Sequence, residues 1–363
     1  MQARKHWLAL VASALGACTS TTSPSDGSLG PLDASADAAA YRADANAHTD
    51  DAGPLDAPSD ASEPLPPTRI YVTLVTHNED TATGSNPECV ALFEALDARF
   101  AANRDAVIAI ADRVEARGAA LSFQSDVEYL RIVAAREGRT DNFLRALAGR
   151  PSGRISIEAH AHESGLKNYA DVANILEDVV GVRNGVVGGF TASTCRPTQP
   201  APEWEKFRAP LAPRQAGALF EATVLTDGAS PGHTCDEAAS GIWHPASHDD
   251  FFRDDPAQTL PNIGVGFTAG SLDEGVVAVS RLLEELQAGR LEPHRIYTQN
   301  VTIRQCTSDL AGGGASPDEV AVFLDAIEAL DGPDDVIRWA TYPELLEIWR
   351  TEYRGATSLW RPE

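Results

Sequence analysis

Two short polar stretches of this sequence carry residue types that bind divalent metals. In ISIEAHAHES, residues 155–164, a β-branched apolar run ends in His160 and His162, with one residue between them. Because side chains alternate between the faces of a strand, both imidazoles belong to one face, which they share with Arg154, Ser156 and Glu158. Neutral imidazole is a ligand for Zn, Fe, Ni and Co, so the pair predicts a site for one divalent ion. The alternative is a pair of hydrogen-bonded histidines without a metal.

The other polar stretch, VTHNED at residues 75–80, ends the first run that is typical of a buried strand. If both stretches lie at the same end of a sheet, Glu79 and Asp80 face the histidine pair. A carboxylate then completes the ligand set, water fills an open position, and a second carboxylate takes a proton from that water. We expect Asp80 and His77 among the ligands and Glu79 as the base. N-capping of the next helix by Asp80 is the alternative, and it leaves His77 unexplained.

Other residues are candidates for substrate contacts. Gln124 and Asp126 follow the second predicted strand and would lie near the same site. Capping of the helix that begins at Val127, by Ser125 or Asp126, is the favoured interpretation of that stretch. Tyr169 opens a later predicted helix and could reach a sugar ring.

Three more residues complete the list of candidates. Glu163 directly follows the histidine pair and could donate a proton, although a loop acid is equally expected at this position. His244 could also serve as an acid. The indole of Trp243 would suit the apolar face of a sugar, and a role in anchoring a long loop by packing is an equal alternative.

The elements that must position these residues alternate between strands and helices. Eight apolar runs predict strands, at residues 70–76, 119–123, 154–161, 186–190, 222–225, 262–267, 295–303 and 336–340. Helical spacing lies between many of them, at residues 89–100, 104–118, 169–181 and 273–289. This alternation predicts a parallel sheet in a (β/α) barrel of seven or eight strands, with a long, mostly irregular excursion over one end at residues 194–261. An open doubly wound sheet is the alternative, but neither GxGxxG nor a P-loop supports it.

These motifs resemble the polysaccharide deacetylase family, within the glycoside hydrolase/deacetylase barrel superfamily. VTHNED stands where the family has an acidic pair, EAHAHES stands where it has two metal-binding histidines, and VIRWATYPELLEIW resembles its C-terminal end. In the family the histidines are more widely spaced. The resemblance covers most of Arg69 to Arg350, and it implies zinc as the expected ion and deacetylation of an N-acetylated glycan as the reaction. The residues alone indicate only metal-assisted hydrolysis.

The N-terminus predicts export. A basic start and an apolar run from Trp7 to Ala17 have the layout of a secretory signal and are too short to span a bilayer. The run ends Leu15-Gly16-Ala17-Cys18, which resembles the bacterial lipoprotein box, so we expect Cys18 to carry lipid; an ordinary signal with an incidental cysteine is the alternative. Thr19 after the cysteine resembles the signal for the outer membrane.

We therefore expect a signal peptide at residues 1–18, a disordered Ala/Asp/Pro-rich tether at residues 19–68, and a barrel domain at residues 69–363. The formal net charge of −24 argues against binding to nucleic acid, and against binding to anionic lipid by charge alone. Attachment to the membrane is expected through the lipid anchor only. The sequence does not indicate an oligomeric state.

The four cysteines after Cys18 permit disulfides in an exported domain. Cys195 and Cys235 flank much of the long excursion, and Cys89 and Cys306 would join two loops, so these are the candidate pairs. A structural zinc site is the alternative, and no CxxC spacing supports it.

The function expected from these observations is metal-dependent hydrolysis of envelope or extracellular carbohydrate. Two alternatives come from other classes. A glycoside hydrolase would use two carboxylates without a metal. A non-catalytic glycan-binding protein would keep the fold without an open metal position.

Overall fold

The fold was obtained as a computed structural model, which describes residues 65–78, 97–161, 163, 167–190, 204–227, 238–247, 250–304, 315–332 and 335–362. These residues belong to one compact unit, Ser62–Glu363. The strands are β1 (Arg69–Asn78), β2 (Leu121–Ser125), β3 (Ile155–Ala159), β4 (Val186–Phe190), β5 (Val224–Asp227), β6 (Ile242–Trp243), β7 (Pro245–Ser247), β8 (Asp250–Asp254), β9 (Asn262–Ile263), β10 (Ile296–Arg304) and β11 (Ile337–Trp339). The helices are α1 (Asp97–Ala116), α2 (Val127–Glu137), α3 (Phe143–Ala148), α4 (Tyr169–Val180), α5 (Leu272–Gln287), α6 (Pro317–Asp331) and α7 (Tyr342–Thr351), with a 3₁₀ helix at Trp204–Arg208.

The central sheet is parallel and has the order β10–β1–β2–β3. Strand β11 also pairs with β1, but only along its first half, where Ile70 lies opposite Ile337. The second half of β1 pairs instead with β2, from Leu74 opposite Leu121 onward. Each of the eight predicted strands overlaps an observed one, but the run predicted at residues 262–267 is a strand only at Asn262–Ile263, and the last strand, Ile337–Trp339, is a short one beside the start of β1.

A second sheet has the order β4–β5–β9–β6, and β6 runs antiparallel to β9. It meets the central sheet on both sides. A parallel bridge joins His160 at the end of β3 to Gly188 on β4. The backbone N–H of Asn300 on β10 donates to Val265 O, just after β9, at 2.9 Å. The strands thus form a curled, largely parallel sheet in a mixed α/β fold, a partial (β/α) barrel.

Alternation along the strands sorts their side chains into two cores. Ile70, Val72 and Leu74 belong to the larger core, which contains the buried faces of the helices. Tyr71 and Val75 point the other way, into a smaller core that they share with Val186, Val224, Ile296 and four residues of helix α7, Tyr342, Leu345, Leu346 and Trp349. Helix α7 therefore fills the inner side of the sheet near the strand starts.

Polar bonds fix the start of α7 inside the sheet. The backbone N–H of Tyr342 donates to Ser122 Oγ at 3.3 Å, and Asn300 Nδ2 donates to the Tyr342 hydroxyl at 2.6 Å. Because α7 occupies the amino end of the strands, the inward side chains at their carboxyl end are the ones left to form a site.

Local sequence rules explain the helix that follows the histidine pair. Asn168 and Asp171 form a capping box at the start of α4, and Gly181 ends the helix in the left-handed conformation, at φ 81°. Across the described ranges, no helix has both the length and the apolar character needed to span a membrane.

The predicted irregular excursion contains more regular structure than its composition indicates. Besides β5, which was predicted, strand β6 joins the second sheet, and β7 and β8 form an antiparallel pair. Pro and Gly are frequent here because these strands are short and separated by turns.

Candidate active site

The rings of His77 and His160 lie side by side, with centroids 4.6 Å apart and planes inclined at 31°. His77 is the penultimate residue of β1, and His160 follows the last residue of β3. Strand β2 lies between these two strands, so the contact is made by side chains that lean inward from a curled sheet. His160 is buried and His77 is half-buried. The structure thus brings one residue of each polar stretch together at the carboxyl end of the sheet.

A chain of hydrogen bonds runs from His160 to a buried carboxyl group. His160 Nδ1 lies 3.2 Å from Gln124 Oε1, and Gln124 Nε2 donates to Glu158 Oε2 at 3.2 Å. When Glu158 is ionised its carboxylate only accepts, so it turns the nitrogen of the Gln124 amide toward itself and the oxygen toward the imidazole. With the amide oxygen facing the ring, this contact is a hydrogen bond when His160 Nδ1 carries a proton.

Glu158 is a site residue to which sequence reasoning assigned no role. It is completely buried, and it accepts hydrogen bonds from Ser122 Oγ at 3.0 Å and Ser156 Oγ at 2.5 Å in addition to the Gln124 amide. Burial raises the pKa of Glu158 to about 7, although these three hydrogen bonds act in the opposite direction. The signal in the sequence was an acid on the inward face of a strand, directly between a serine and a histidine.

Gly188 provides the space that Gln124 occupies. A Cβ atom at Gly188 would lie 2.4 Å from Gln124 Nε2 and 2.5 Å from Oε1. Because Gly188 also pairs with His160, the backbone of β4 lies against both ends of the Gln124–His160 hydrogen bond. Gln124 was predicted to bind substrate, whereas the structure places it buried between Glu158 and His160.

Asn78, in the same polar stretch as His77, has a structural role. Its Nδ2 donates to Gln124 O at 3.1 Å, and its carbonyl accepts from the backbone N–H of Asp126 at 3.0 Å. These bonds hold the ends of β1 and β2 together, and so they fix His77 relative to Gln124.

Two predicted substrate contacts are buried in structural positions. Asp126 is the N-cap of α2 and accepts from the backbone N–H of Tyr129 at 2.9 Å, which is the capping role favoured above. Tyr169 packs against Phe207 and Phe220, at centroid distances of 5.2 and 5.9 Å. Neither side chain offers a surface to a sugar, because each is almost wholly covered.

The structure also corrects the predictions for Trp243 and His244. Trp243 is fully buried, and its indole N–H donates to Phe251 O at 2.8 Å, so it packs the loop and offers no platform. His244 lies against Trp349 of α7, with centroids 5.4 Å apart. The antiparallel direction of β6 carries His244 past Asn262, toward the amino ends of the parallel strands and away from His160. It is therefore not positioned to act on a substrate bound at the histidine pair.

Glu163 holds the loop after β3 in place. Its carboxylate forms an ion pair with Lys206 of the 3₁₀ helix and accepts from the backbone N–H of Tyr169 at 3.3 Å. The side chain is half-buried, and it remains near the end of β3 that carries His160.

Several predicted site residues lie outside the described residues: Glu79, Asp80, His162, Cys18, Cys89, Cys195, Cys235 and Cys306. In the remainder, which the structure does describe, no group of three or more His, Cys, Asp or Glu residues has the arrangement of a metal site. The described part of the candidate site is thus the pair His77 and His160 with the hydrogen-bonded residues behind it.

Comparison with known proteins adds little to this geometry. No known family matches the sequence, and no curated protein matches it either. A search of solved structures found a chain described as "putative polysaccharide deacetylase from Mycobacterium smegmatis", at 12% identity and a TM-score of 0.48, over 86% of this chain and 98% of that one. A likeness at that identity and TM-score assigns neither a family nor an activity to this chain.

Proposed function

We propose that this chain is a metal-dependent hydrolase of carbohydrate, and specifically an N-acetyl deacetylase. The observation that carries the proposal is the contact between His77 and His160 at the carboxyl ends of β1 and β3. Active sites of barrel folds are built at this end of the strands. A metal site would also require His160 to present a lone pair, and its hydrogen bond to Gln124 supports that state.

The donors fit zinc better than a harder ion. Two neutral imidazoles are ligands of zinc, and they are poor ligands for magnesium or calcium, which take oxygen. His160 and His77 would hold the ion together with His162 and Asp80, which follow them closely in the sequence. When bound, zinc supplies a Lewis acid that polarises a carbonyl group and lowers the pKa of water.

The chain's own residues would move the protons. Glu79 would take a proton from the attacking water, as the general base. The leaving amine would receive its proton from Glu163, near the carboxyl end of β3, or from His77 if His160, His162 and Asp80 hold the ion without it. His244 drops out of this role because it lies toward the other end of the sheet.

The substrate proposal rests on the sequence. The motifs that end β1 and β3 resemble those of polysaccharide deacetylases, and the segment ending at Cys18 resembles a lipoprotein signal. Lipid attached to Cys18 would hold the domain at the envelope, in the outer membrane, among N-acetylated polymers. Mass spectrometry of the mature protein tests this part: a lipidated Cys18 as the first residue supports it, and an unmodified or internal Cys18 refutes it.

We also propose that the two sheets complete one barrel of seven strands, in the order β1–β2–β3–β4–β5–β9–β10. The bridge from His160 to Gly188 and the hydrogen bond from Asn300 to Val265 support this closure. Slow amide exchange at both joins would agree with a closed barrel, and rapid exchange at either would contradict it.

The test of function measures two products at once. Purified protein loaded separately with Zn, Co and Ni is incubated with chitooligosaccharides and with peptidoglycan fragments. Free acetate without new reducing ends supports the deacetylase. New reducing ends without acetate would show a glycoside hydrolase instead of a deacetylase. If neither product forms with any of the three metals, the remaining function is glycan binding without catalysis.

A further inference from the structure

We infer that Glu158 and Gln124 are positioning residues that determine which ring nitrogen of His160 carries the proton. They hold the proton on Nδ1, which leaves the lone pair of the neutral ring on Nε2. The claim that this tautomer favours zinc binding rests on the proposed function. The control of the ring tautomer does not, and it can be tested in protein without metal.

The first step of the argument is the direction of the hydrogen bonds at Glu158. Two serine hydroxyls, of Ser122 and Ser156, donate to Oε1, and the Gln124 amide donates to Oε2. The three donors arrive from β2 and from β3 itself. An ionised carboxylate satisfies all of them, because it offers only acceptors.

The second step is the orientation of the amide. If the Gln124 side chain were flipped, its oxygen would face the Glu158 carboxylate, and two acceptors would meet in a buried site. Such a contact leaves buried polar groups without partners, which is unfavourable, most of all for a charged group. The flipped amide would also present N–H to His160 Nδ1, which would force the ring proton onto Nε2. The carboxylate therefore fixes the amide, and the amide fixes the imidazole.

The third step is the enclosure of the three side chains. Glu158, Gln124 and His160 are each at most 1% exposed, so bulk water cannot easily take the place of a lost partner. The backbone of Gly188 closes the side of Gln124 that faces β4. A network with this little freedom transmits a change at Glu158 to His160.

Reversing the hydrogen bonds provides the test. In Glu158→Gln, the new amide keeps its oxygen toward the serines and turns its nitrogen toward Gln124, which must flip. The double variant Gln124→Glu/Glu158→Gln exchanges the two side chains, so the carboxylate lies beside His160 and the amide lies beside the serines. The carboxylate then accepts from His160 Nδ1, as the Gln124 oxygen does in the wild type. Gln124→Leu removes the connection altogether.

The first readout is the tautomer, measured in the full, metal-free chain by two-bond ¹H–¹⁵N correlation of the histidine rings at pH 8.5, with His160→Gln to assign the signal. We expect proton on Nδ1 in the wild type and in the double variant, proton on Nε2 in Glu158→Gln, and a mixture in Gln124→Leu. A wild-type ring protonated on Nε2 would overturn the inference without any variant having to fold. A ring that keeps its proton on Nδ1 in Glu158→Gln would overturn it as well.

The second readout is zinc affinity, measured by competition with a chromophoric chelator. Loss of an outer partner of a ligand histidine typically weakens binding by about 10–100-fold, so we expect that loss in Glu158→Gln and recovery to within about threefold in the double variant. A double variant as weak as the single one would contradict control of metal binding through the tautomer. If the tautomers respond as expected but the wild type binds no zinc, the positioning stands and the proposed metal-dependent function fails.

Discussion

His77 and His160 are far apart in the sequence, yet their rings are in contact at the carboxyl end of the sheet. Their neighbours differ in kind. His160 is buried and hydrogen-bonded to Gln124, whereas His77 is half-buried at the end of β1. This asymmetry fits the roles proposed above: a fixed ligand in His160, and in His77 a more exposed group that would take part in binding or proton transfer.

Removing metal is predicted to lower both activity and thermal stability. An ion bound only to the folded state stabilises it by about 2.7 kcal/mol when its concentration is 100 times the dissociation constant. Addition of a strong chelator should lower Tm, and addition of zinc should restore it. His160→Ala should remain folded and should no longer respond to either reagent. A variant that still binds zinc stoichiometrically would refute His160 as a ligand.

His77 and His244, which lie at opposite ends of the sheet, provide a matched pair of variants. His77→Gln is predicted to lower kcat/KM by about 10²–10⁴-fold, the range for loss of a proton-transfer group. His244→Gln should leave kcat/KM within about twofold of wild type, because His244 packs against Trp349 near the strand starts. Steady-state kinetics on a chitooligosaccharide would measure both. Equal losses in the two variants would contradict the placement of the site.

Burial of Glu158 predicts a pH dependence of stability. The pKa of this carboxyl rises from an ordinary value of 4.5 to about 7 in the folded protein. Below about pH 4.5 the group is protonated in both states and imposes no penalty. As pH rises from 4.5 through 7, the unfolded state has released a proton that the folded state retains, so the free energy of unfolding falls, by about 3 kcal/mol in total.

Urea unfolding of chelator-treated protein checks this sign. The free energy of unfolding of the wild type should fall relative to that of Glu158→Gln, by about 3 kcal/mol between pH 4.5 and pH 8. Glu221→Gln, at an exposed glutamate, controls for the loss of one carboxyl group. A difference between Glu158→Gln and wild type that stays flat with pH would show that Glu158 is not protonated by burial.

Gly188 and Gly149 offer another matched pair. In Gly188→Ala the new methyl group would overlap the Gln124 amide, so the amide must move and zinc binding should weaken by about tenfold or more. In Gly149→Ala the methyl group would meet its nearest atom, Arg145 O, at 3.4 Å, an ordinary contact. Chelator competition should therefore find Gly149→Ala within about twofold of wild type. Unchanged affinity in Gly188→Ala would mean that Gln124 can move without affecting the site.

The fold was more predictable from the sequence than the site. Buried parallel strands are continuous apolar runs, so the position of each of the eight was recognisable although not its full length, and strand parity placed Glu158 and His160 on one face. The second sheet was harder, because the chain reverses at β6, and this reversal separates His244 from the histidine pair. Composition does not record such a reversal. The role of Gln124 was equally hidden, since it depends on which atoms of β2, β3 and β4 approach one another.

Strand β1 pairs with strands that are near and far in the sequence. Strand β2 is the next strand along the chain, whereas β10 and β11 come from the last part of the sequence. Strand β1, the first strand among the described residues, therefore waits during synthesis for most of the chain that follows it before its pairing is complete. Pairing over such long separations has a large loop-closure entropy and slows folding. Until β10 arrives, β1 presents an apolar edge that can pair with another molecule, so this protein should fold slowly and depend on chaperones that shield β1.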